Sequence, residues 1–309
     1  QAEITMEANP GTFEADRFRG YRAAGVNRLS IGVQSFSDES LAALGRVHGA
    51  QEARRALATA LEVFGNVNID LMYALPDQGL DQALRDVVEA TATGVPHISA
   101  YHLTLEPNTH FFRYPPRLPD DDTAADMQEA IEASLASSGY GHYETSAFAK
   151  PGHRARHNLN YWTFGDYLGI GAGAHSKISF RDRVVREMRS RKPQAYLRAA
   201  MQGNAIQESH EVSRTDLPFE FMLNALRLIE GFPVALFGER TGLAIATVER
   251  ELREAEAAGL LARDHVAIRP THKGERFLND LLERFLPAKG SLERIVPLSV
   301  SSPGASRPS

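Results

Sequence analysis

Short apolar runs alternate with helical patterns along the first hundred residues. Strand-like runs are predicted at 4–7, 27–33, 67–73 and 97–105. Patterns with the helical period lie between them, at 37–44, 51–64 and 81–93. Strands that alternate with helices in this way predict an α/β fold, in which helices cover a parallel sheet.

Polar residues at the ends of these runs are regularly spaced. Glu7, Gln34, Asp70 and Thr104 follow one another at separations of 27, 36 and 34 residues. One strand-plus-helix unit of a β/α barrel takes roughly 30 residues, and barrel strands present their ligand-binding groups at their C-terminal ends. The spacing therefore predicts part of a β/α barrel with a ligand site at one rim.

Four side chains near that rim suit an amino-acid nucleoside. Arg46 can bind a carboxylate through two hydrogen bonds, and Glu7 can accept one from an ammonium or hydroxyl group. Gln34 and Asp70 suit ribose hydroxyls. A single acid at a strand end is more often a helix cap or half of an ion pair. The joint spacing of the four favours the pocket.

The rest of the chain predicts a second, mostly helical domain. The Pro-rich segment 108–122 is expected to be an irregular loop, followed by a helix at 123–138 and an edge strand at 139–146. Residues 1–180 are expected to form the barrel core with its extension and 181–212 a linker. Helical patterns from 213 to 287, with a short strand pair near 265–269, predict a winged-helix-like domain, and the Ser-, Pro- and Gly-rich segment 288–309 predicts a disordered tail.

Composition narrows the functional classes. The net charge is -5, and 213–287 holds ten Lys and Arg against twelve Asp and Glu, which argues against nucleic-acid binding. No apolar run is long enough to span a membrane and no secretion signal is visible, so a cytoplasmic location is expected. The absence of cysteine excludes disulfides and any thiolate-held metal in the chain as given.

Seven motifs in order carry a resemblance to a known family. They are MEANPGT at 6–12, GVNRLSIGVQSF at 25–36, LGRVHG at 44–49, NIDLMYALPDQ at 68–78, YHLTLEPNT at 101–109, HNLNYW at 157–162 and GDYLGIGAGAHS at 165–176. The chain resembles, from about residue 3 to 286, the oxygen-independent coproporphyrinogen III oxidases of the radical S-adenosylmethionine (SAM) family. It resembles most closely the HemW branch, regarded as haem chaperones. This resemblance implies a partial TIM-like barrel without its first two strands, followed by a HemN-type C-terminal domain.

The resemblance also implies cofactors. Family members hold a [4Fe-4S] cluster on a C-x3-C-x2-C loop, and the cluster's open iron chelates SAM. The SAM-contacting residues of the family match Glu7, Gln34, Arg46 and Asp70, and Thr104 is added to the candidate set. The cysteine loop has no counterpart, so the chain is expected to be incomplete at its N-terminus by about 60 residues or more. As given, it is expected to hold no cluster and to perform no radical chemistry, which leaves enzymatic activity open.

A HemW-like protein is further expected to bind haem and deliver it to haem proteins, including respiratory enzymes. His175 is the first candidate ligand, because imidazole suits iron and the flanking glycines admit a flat macrocycle, and His157 is the second. Each could instead only bond backbone groups in a crowded turn. Peripheral contact with the cytoplasmic membrane stays open, and no oligomeric state is predicted. Two alternatives remain, an oxidase of coproporphyrinogen III and an inactive fragment acting as an interaction module.

Overall fold

Strands and helices alternate along the first half of the chain, as the hydrophobic pattern predicts. The computed structural model describes residues 2–12 and 15–287. The chain divides into two units, Gln1–Thr163 with Arg227–Gly231 and Phe164–Leu226 with Phe232–Ser309. The tail predicted at 288–309 lies outside the described residues.

A six-stranded sheet is the centre of the first unit. Its strands are β1 (Thr5–Ala8), β2 (Arg28–Gln34), β3 (Val67–Tyr73), β4 (His97–His102), β5 (Gly141–Glu144) and β6 (Ala147–Ala149). Their order in the sheet is β1-β2-β3-β4-β6-β5. The first four strands are parallel, and β6 runs antiparallel to β4 and β5. The predicted parallel arrangement is therefore present, with an antiparallel extension.

Among the described residues of this unit, seven helices connect these strands or follow them. They are α1 (Ala15–Ala23), α2 (Asp38–Ala43), α3 (Ala50–Val63), α4 (Leu80–Ala92), α5 (His110–Arg113), α6 (Asp121–Ser137) and α7 (Arg156–Trp162), with a 3-10 turn at Pro10–Thr12. Side chains cap several of them: Ser37 accepts a hydrogen bond from the Ser40 N–H, and Asp120 accepts one from the Thr123 N–H. The segment 108–122 is not wholly irregular, because α5 forms within it where Thr109 supplies a cap.

The two faces of this sheet differ in chemistry. Every residue of β2 is buried, because both of its faces are covered. One face presents Leu29, Ile31 and Ile69, which belong to a single apolar core with Leu57 of α3 and Ile131 of α6. The opposite face presents polar side chains. We call this polar face the inner face, and its side chains are candidates for binding a ligand at the C-terminal ends of the parallel strands.

The segment expected to be a linker, 181–212, is instead regular structure in the second unit. It contains β8 (Val184–Arg189), α8 (Pro193–Met201) and β9 (Ile206–Glu211), and with β7 (His175–Ser179) the strands form an antiparallel sheet ordered β7-β8-β9. The segment is therefore not a linker, although 181–192 contains many charged residues. The structure neutralises one of them by a tertiary contact, in which Arg186 Nη2 lies 2.6 Å from Glu220 Oε2.

The C-terminal part of the second unit has the predicted helix-and-wing outline. Its elements are α9 (Leu217–Ala225), β10 (Phe232–Pro233), α10 (Val234–Thr241), α11 (Glu249–Ala257), β11 (Leu261–Arg263), β12 (Ala267–Pro270), α12 (His272–Arg276) and α13 (Leu278–Glu283), with a 3-10 turn at Ile245–Val248. The strands are ordered β10-β12-β11. Phe221 contacts the edges of Phe232 and Phe237 at the centre of the core. The helical pattern at the end of this region is divided at Phe277 into α12 and α13.

Among the residues that the structure describes, no helix combines the length and the hydrophobicity needed to cross a membrane.

Candidate functional site

Polar side chains form two rows across the inner face of the first sheet. Paired residues of neighbouring strands lie on the same face, so the register defines each row. The first row contains Glu7, Ser30, Asn68 and His97. The second row, two residues further along, contains Asp70 beside Ser99. The inner face therefore carries two carboxylates in adjacent rows.

Asp70 is held as a hydrogen-bond acceptor. Its Oδ1 accepts from Asn68 Nδ2 at 2.8 Å, and its Oδ2 accepts from Ser30 Oγ at 3.1 Å. Burial raises the pKa of Asp70, whereas hydrogen bonds from Asn68, Ser30 and Ser99 act in the opposite direction. A carboxylate has about four lone-pair positions, so Asp70 retains capacity for ligand hydroxyls.

Glu7 and Arg46 respond to the charge of Asp70. Burial raises the pKa of Glu7 and the negative charge of Asp70 raises it further, while the charge of Arg28 lowers it. Burial lowers the pKa of Arg46, and Asp70 opposes that effect. In the part of the chain that the structure describes, the side chains of Glu7 and Arg46 form no hydrogen bond or ion pair with protein groups. An acid and a guanidinium are thus available to a ligand beside Asp70.

Gln34 occupies a specialised backbone position at the end of β2. Its φ is 69°, in the left-handed region, and it pairs with Leu71, the neighbour of Asp70. A Cβ at Gly32 would lie 2.9 Å from Gln34 Nε2, so glycine leaves the space that the amide occupies. The structure therefore brings Gln34 to the same end of the sheet as Asp70.

The segment between Gln34 and Arg46 is fixed by hydrogen bonds. Asp86 of α4 accepts from Ser35 Oγ and from the Phe36 N–H, both at 2.7 Å. His48 Nε2 lies 3.2 Å from the carbonyl oxygen of Val33. These contacts hold the loop that carries Arg46 against the end of β2.

Thr104 lies apart from these groups. Asp70 pairs with Ser99, and β4 ends at His102, two residues before Thr104. The Thr104 side chain is exposed. The structure thus groups Glu7, Gln34, Arg46 and Asp70, and it places Ser99 rather than Thr104 beside the carboxylate.

His157 lies on α7 in the same unit. Its Nδ1 is 3.4 Å from Glu3 Oε1, which also accepts from the Arg156 N–H at 3.0 Å. Burial lowers the pKa of His157, and the charge of Arg28 lowers it further, although Glu3 opposes both. The imidazole is therefore neutral near pH 7 and keeps a lone pair that can bind iron.

His175 begins β7 in the second unit and is exposed. A Cβ at Gly169 would lie 2.3 Å from the His175 carbonyl oxygen, so the glycine-rich loop packs directly on this backbone. The same loop exposes 73% of Leu168 and 87% of Ile170. The backbone of His175 thus contacts a loop with two exposed apolar side chains in the sequence GDYLGIGAGAHS.

Sequence reasoning missed the polar groups inside the strands. Arg28 is 2% exposed, lies near Asp70 and Tyr143, and its Nε lacks a hydrogen-bond partner among the described residues. Asn68 and His97 are also buried. The available signal was the alternation of polar residues in RLS and NID, which an emphasis on apolar runs concealed.

The donor set does not fit every cofactor of the family. The sequence contains no cysteine, so the residues present cannot supply thiolate ligands to a [4Fe-4S] cluster. Among the described residues, no group of three or more His, Asp or Glu side chains is arranged to hold a metal ion. The acid, amide, guanidinium and second acid do fit the amino-acid and ribose parts of SAM.

Comparison with known proteins agrees with these features. The radical SAM superfamily matches residues 1–88, and the HemN C-terminal domain matches 212–277. The chain is 51% identical to the "Heme chaperone HemW" of Escherichia coli over 288 residues, covering 92% of this chain and 75% of the relative. It is 46% identical to that of Haemophilus influenzae, with 92% and 74% covered, and 32% identical to that of Bacillus subtilis, with 92% and 76% covered.

A solved structure shows the same fold. The coproporphyrinogen III oxidase HemN from Escherichia coli, described as a radical SAM enzyme, superimposes with a TM-score of 0.75 at 23% identity. The match covers 92% of this chain and 69% of that protein. The predicted fold class, an α/β radical SAM core followed by a HemN-type domain, is therefore confirmed.

Proposed function

Because this chain belongs to the HemW family of radical SAM proteins, we propose that it is a haem chaperone that binds haem and passes it to haem-accepting proteins. The observation that carries this proposal is the 51% identity to a protein named as a haem chaperone, over 92% of the chain. An oxidase of coproporphyrinogen III is the second candidate. Its support is a likeness of fold at 23% identity, which ranks it below the chaperone.

The proposed cofactor pocket binds SAM at the rim of the first sheet. Arg46 would bind the SAM carboxylate, and Glu7 would accept from its ammonium group. Asp70 and Gln34 would bind the ribose hydroxyls, and Thr104 is retained as an outer candidate. In the radical SAM family, SAM acts together with a [4Fe-4S] cluster, which supplies the electron for its cleavage. The role of this chain's own residues is to bind and orient SAM.

His175 is the first candidate for the haem ligand and His157 the second. The support for His175 is its exposure, the glycine-rich loop beside it, and the apolar side chains of Leu168 and Ile170, which a porphyrin could cover. Arg191 lies beside Gly173 on this surface and has no ion-pair partner among the described residues, so it could neutralise a propionate. The support for His157 is its neutral imidazole.

A spectral titration tests both ligands. Haem is added to the protein and to variants His175→Ala and His157→Ala, and the Soret band is followed. We expect stoichiometric binding by the unaltered protein, and a shifted band with at least about tenfold weaker binding when the true ligand is removed. His265→Ala and His110→Ala remove exposed imidazoles in the second and first units and serve as controls.

Three results would contradict this proposal in different ways. An unchanged Soret band in both single variants and in the double variant would reject both ligands. Absence of haem binding by the unaltered protein would reject the chaperone and favour an interaction module. Anaerobic, SAM-dependent conversion of coproporphyrinogen III by a form of the protein that carries a C-x3-C-x2-C cluster loop would favour the oxidase.

The proposed chaperone is cytoplasmic, and its proposed partners are haem-accepting proteins. A cytoplasmic protein could meet its acceptors through peripheral contact with the cytoplasmic membrane, where respiratory haem proteins reside. Sedimentation with anionic lipid vesicles tests that contact, and protein remaining in the supernatant at low salt would contradict it.

A further inference from the structure

We call the group Glu7, Gln34, Arg46 and Asp70 the nucleoside pocket. A continuous chain of hydrogen bonds begins at the half-buried Asp70 and runs from this pocket through buried side chains. Asn68 Nδ2 lies 2.8 Å from Asp70 Oδ1, and Asn68 Oδ1 lies 2.6 Å from His97 Nδ1. His97 Nε2 lies 2.8 Å from the hydroxyl of Tyr143. That hydroxyl also lies 3.3 Å from the backbone nitrogen of Ala155, the N-cap of α7. We call this set, from Asp70 to Ala155, the buried relay.

Only one direction of donation satisfies the buried relay. Both hydrogens of the Asn68 amide are used, by Ser30 and Asp70, so its Oδ1 must accept from His97 Nδ1–H. Burial keeps the pKa of His97 well below its usual value, and the charge of Arg28 adds to this effect, so the ring is neutral. Its Nε2 must then accept from the Tyr143 hydroxyl.

The far end of the buried relay is the start of α7. The Tyr143 oxygen accepts from the Ala155 N–H, and the Asn158 side chain also bonds to it. Ala155 is fully buried, as are Asn68, His97 and Tyr143 to within 2%. Hydrogen bonds in such low-dielectric surroundings polarise one another, so a change at one end alters the strength of the others.

We propose that the buried relay couples the occupancy of the nucleoside pocket to α7, the helix that carries His157, with His97 and Tyr143 as positioning residues. This inference rests on the proposed binding of SAM at Asp70. A ribose hydroxyl that donates to a remaining lone pair of Asp70 draws on the same negative charge that polarises the Asn68 amide. The Asn68 amide is then less polarised, so each hydrogen bond between Asn68 and Ala155 becomes weaker. The first turn of α7 is therefore less stable.

The decisive experiment measures amide hydrogen exchange of Ala155 in four proteins: the unaltered protein, Asp70→Asn, Tyr143→Phe and the double variant. Asp70→Asn removes the charge that orders the chain, and we expect Ala155 exchange to rise about threefold or more. Tyr143→Phe deletes the acceptor, and we expect a rise of about tenfold. Asp70→Asn should then add nothing in the Tyr143→Phe background.

Tyr140→Phe is the matched control. Tyr140 is also a buried tyrosine of the first unit, and its hydroxyl donates to the carbonyl of Val95, outside the buried relay. In the Tyr140→Phe background, Asp70→Asn should raise the amide exchange of Ala155 as much as it does in the unaltered protein. The 15N shifts of His97 should report the Nδ1–H tautomer, and Nε2–H would overturn the proposal.

Two further results separate this inference from the proposed function. Calorimetric titration with SAM on the same samples measures the pocket directly, and no binding would reject the pocket and the coupling with it. SAM binding that leaves Ala155 exchange unchanged would reject the coupling alone. The coupling would also be rejected if Asp70→Asn raised Ala155 exchange in the Tyr143→Phe background as much as in the unaltered protein.

Discussion

Asp70 illustrates how a single half-buried residue gains its properties from its neighbours. Asn68 and Ser30 each donate to one of its oxygens. Without these bonds, burial would favour the protonated acid, which is a poorer acceptor for ribose hydroxyls. The polar neighbours therefore favour the charged form of Asp70, in opposition to the effect of burial.

We expect Asp70→Asn to weaken SAM binding. Hydrogen bonds to a charged group contribute about 1.5–3 kcal/mol, so the dissociation constant should rise roughly tenfold to a hundredfold. Isothermal titration calorimetry measures the change. Asp81→Asn alters an exposed acid of α4 and should bind SAM as the unaltered protein does. Equal affinities for Asp70→Asn and Asp81→Asn would contradict the assignment of the pocket.

His97 should make stability depend on pH. Burial, and then the charge of Arg28, holds its folded-state pKa well below the value near 6.5 expected in the unfolded chain. Below about pH 6.5 the unfolded state therefore binds more protons than the folded state. The stability of the folded protein is thus complete above that pH and is lost as the pH falls. Urea denaturation should show that the free energy of unfolding falls between pH 7 and pH 5. His97→Gln should reduce this fall by up to about 1.4 kcal/mol per pH unit.

The control for this pH dependence is His265→Gln, which replaces an exposed histidine. Its stability should change between pH 7 and pH 5 as that of the unaltered protein does. A His97→Gln variant with the full pH dependence would show that other buried groups, such as His142, are responsible.

Sequence reasoning at the residue scale identified polar residues that follow apolar runs and missed those within the runs. Glu7, Gln34 and Asp70 were predicted from their regular spacing, and Arg46 was added because it can bind a carboxylate through two hydrogen bonds. Their grouping agrees with the register and charges of the structure, and their role in binding SAM remains a prediction. Arg28, Asn68 and His97 could not be found in this way, because only the pairing of strands reveals that polar residues of β2, β3 and β4 adjoin.

Elements whose patterns are regular were predicted well. The strand expected at 67–73 coincides with β3, and the expected helices at 51–64 and 81–93 differ from α3 and α4 by one residue at each end. The expected linker at 181–212 failed because β8 is the central strand of the antiparallel sheet β7-β8-β9, and strand pairing is not visible in the pattern of one segment. A charged segment can form a strand when tertiary contacts neutralise its charges, and local pattern does not report such contacts.

Gly274 in α12 should be intolerant of a side chain. An added Cβ would lie 1.8 Å from the carbonyl oxygen of Leu260, a backbone atom that cannot yield without moving its element. We expect Gly274→Ala to destabilise the second unit by about 2–3 kcal/mol or more, because overpacking forces the backbone to shift. Chemical denaturation measures the loss.

Gly238 provides the matched substitution in the same unit. Gly238 is an exposed residue of α10. An added Cβ would lie 3.5 Å from the carbonyl oxygen of Leu243, which is an ordinary van der Waals distance. Gly238→Ala should therefore stabilise the protein by about 0.5–1 kcal/mol, since alanine favours the helix. Equal effects of the two substitutions would contradict the close approach of α12 to Leu260.

For the whole molecule, the order of motifs was more informative than any single element. The succession of strand ends, glycine-rich segment and helical C-terminal region predicted the fold that the HemN structure confirms. The division of the chain was harder to predict, because Arg227–Gly231 belongs to the first unit although the residues around it belong to the second. A segment that crosses between units leaves no signal in the periodicity on either side.

The winged-helix outline of the C-terminal part raises the question of DNA binding, which its charges oppose. Arg263 pairs with Glu249 at 2.7 Å and with Glu256 at 2.9 Å, and Arg253 pairs with Glu249 at 2.7 Å. Hydrogen bonds from Arg263 and Arg253 lower the pKa of Glu249 to about 2, so these pairs stay ionised at neutral pH. The cations of α11 and β11 are thus occupied within the protein.

We expect no measurable affinity for duplex DNA, with a dissociation constant above about 10⁻⁴ M at 150 mM salt, because counterion release requires free cations. Fluorescence anisotropy with a labelled duplex measures it. The double variant Glu249→Lys, Glu256→Lys frees Arg253 and Arg263 and adds two positive charges, so it should create binding that weakens steeply with salt. The unaltered protein would contradict this prediction if it bound DNA as strongly as the variant and with the same dependence on salt. The paired arginines would then exchange their carboxylate partners for DNA phosphates, as in a DNA-binding winged helix.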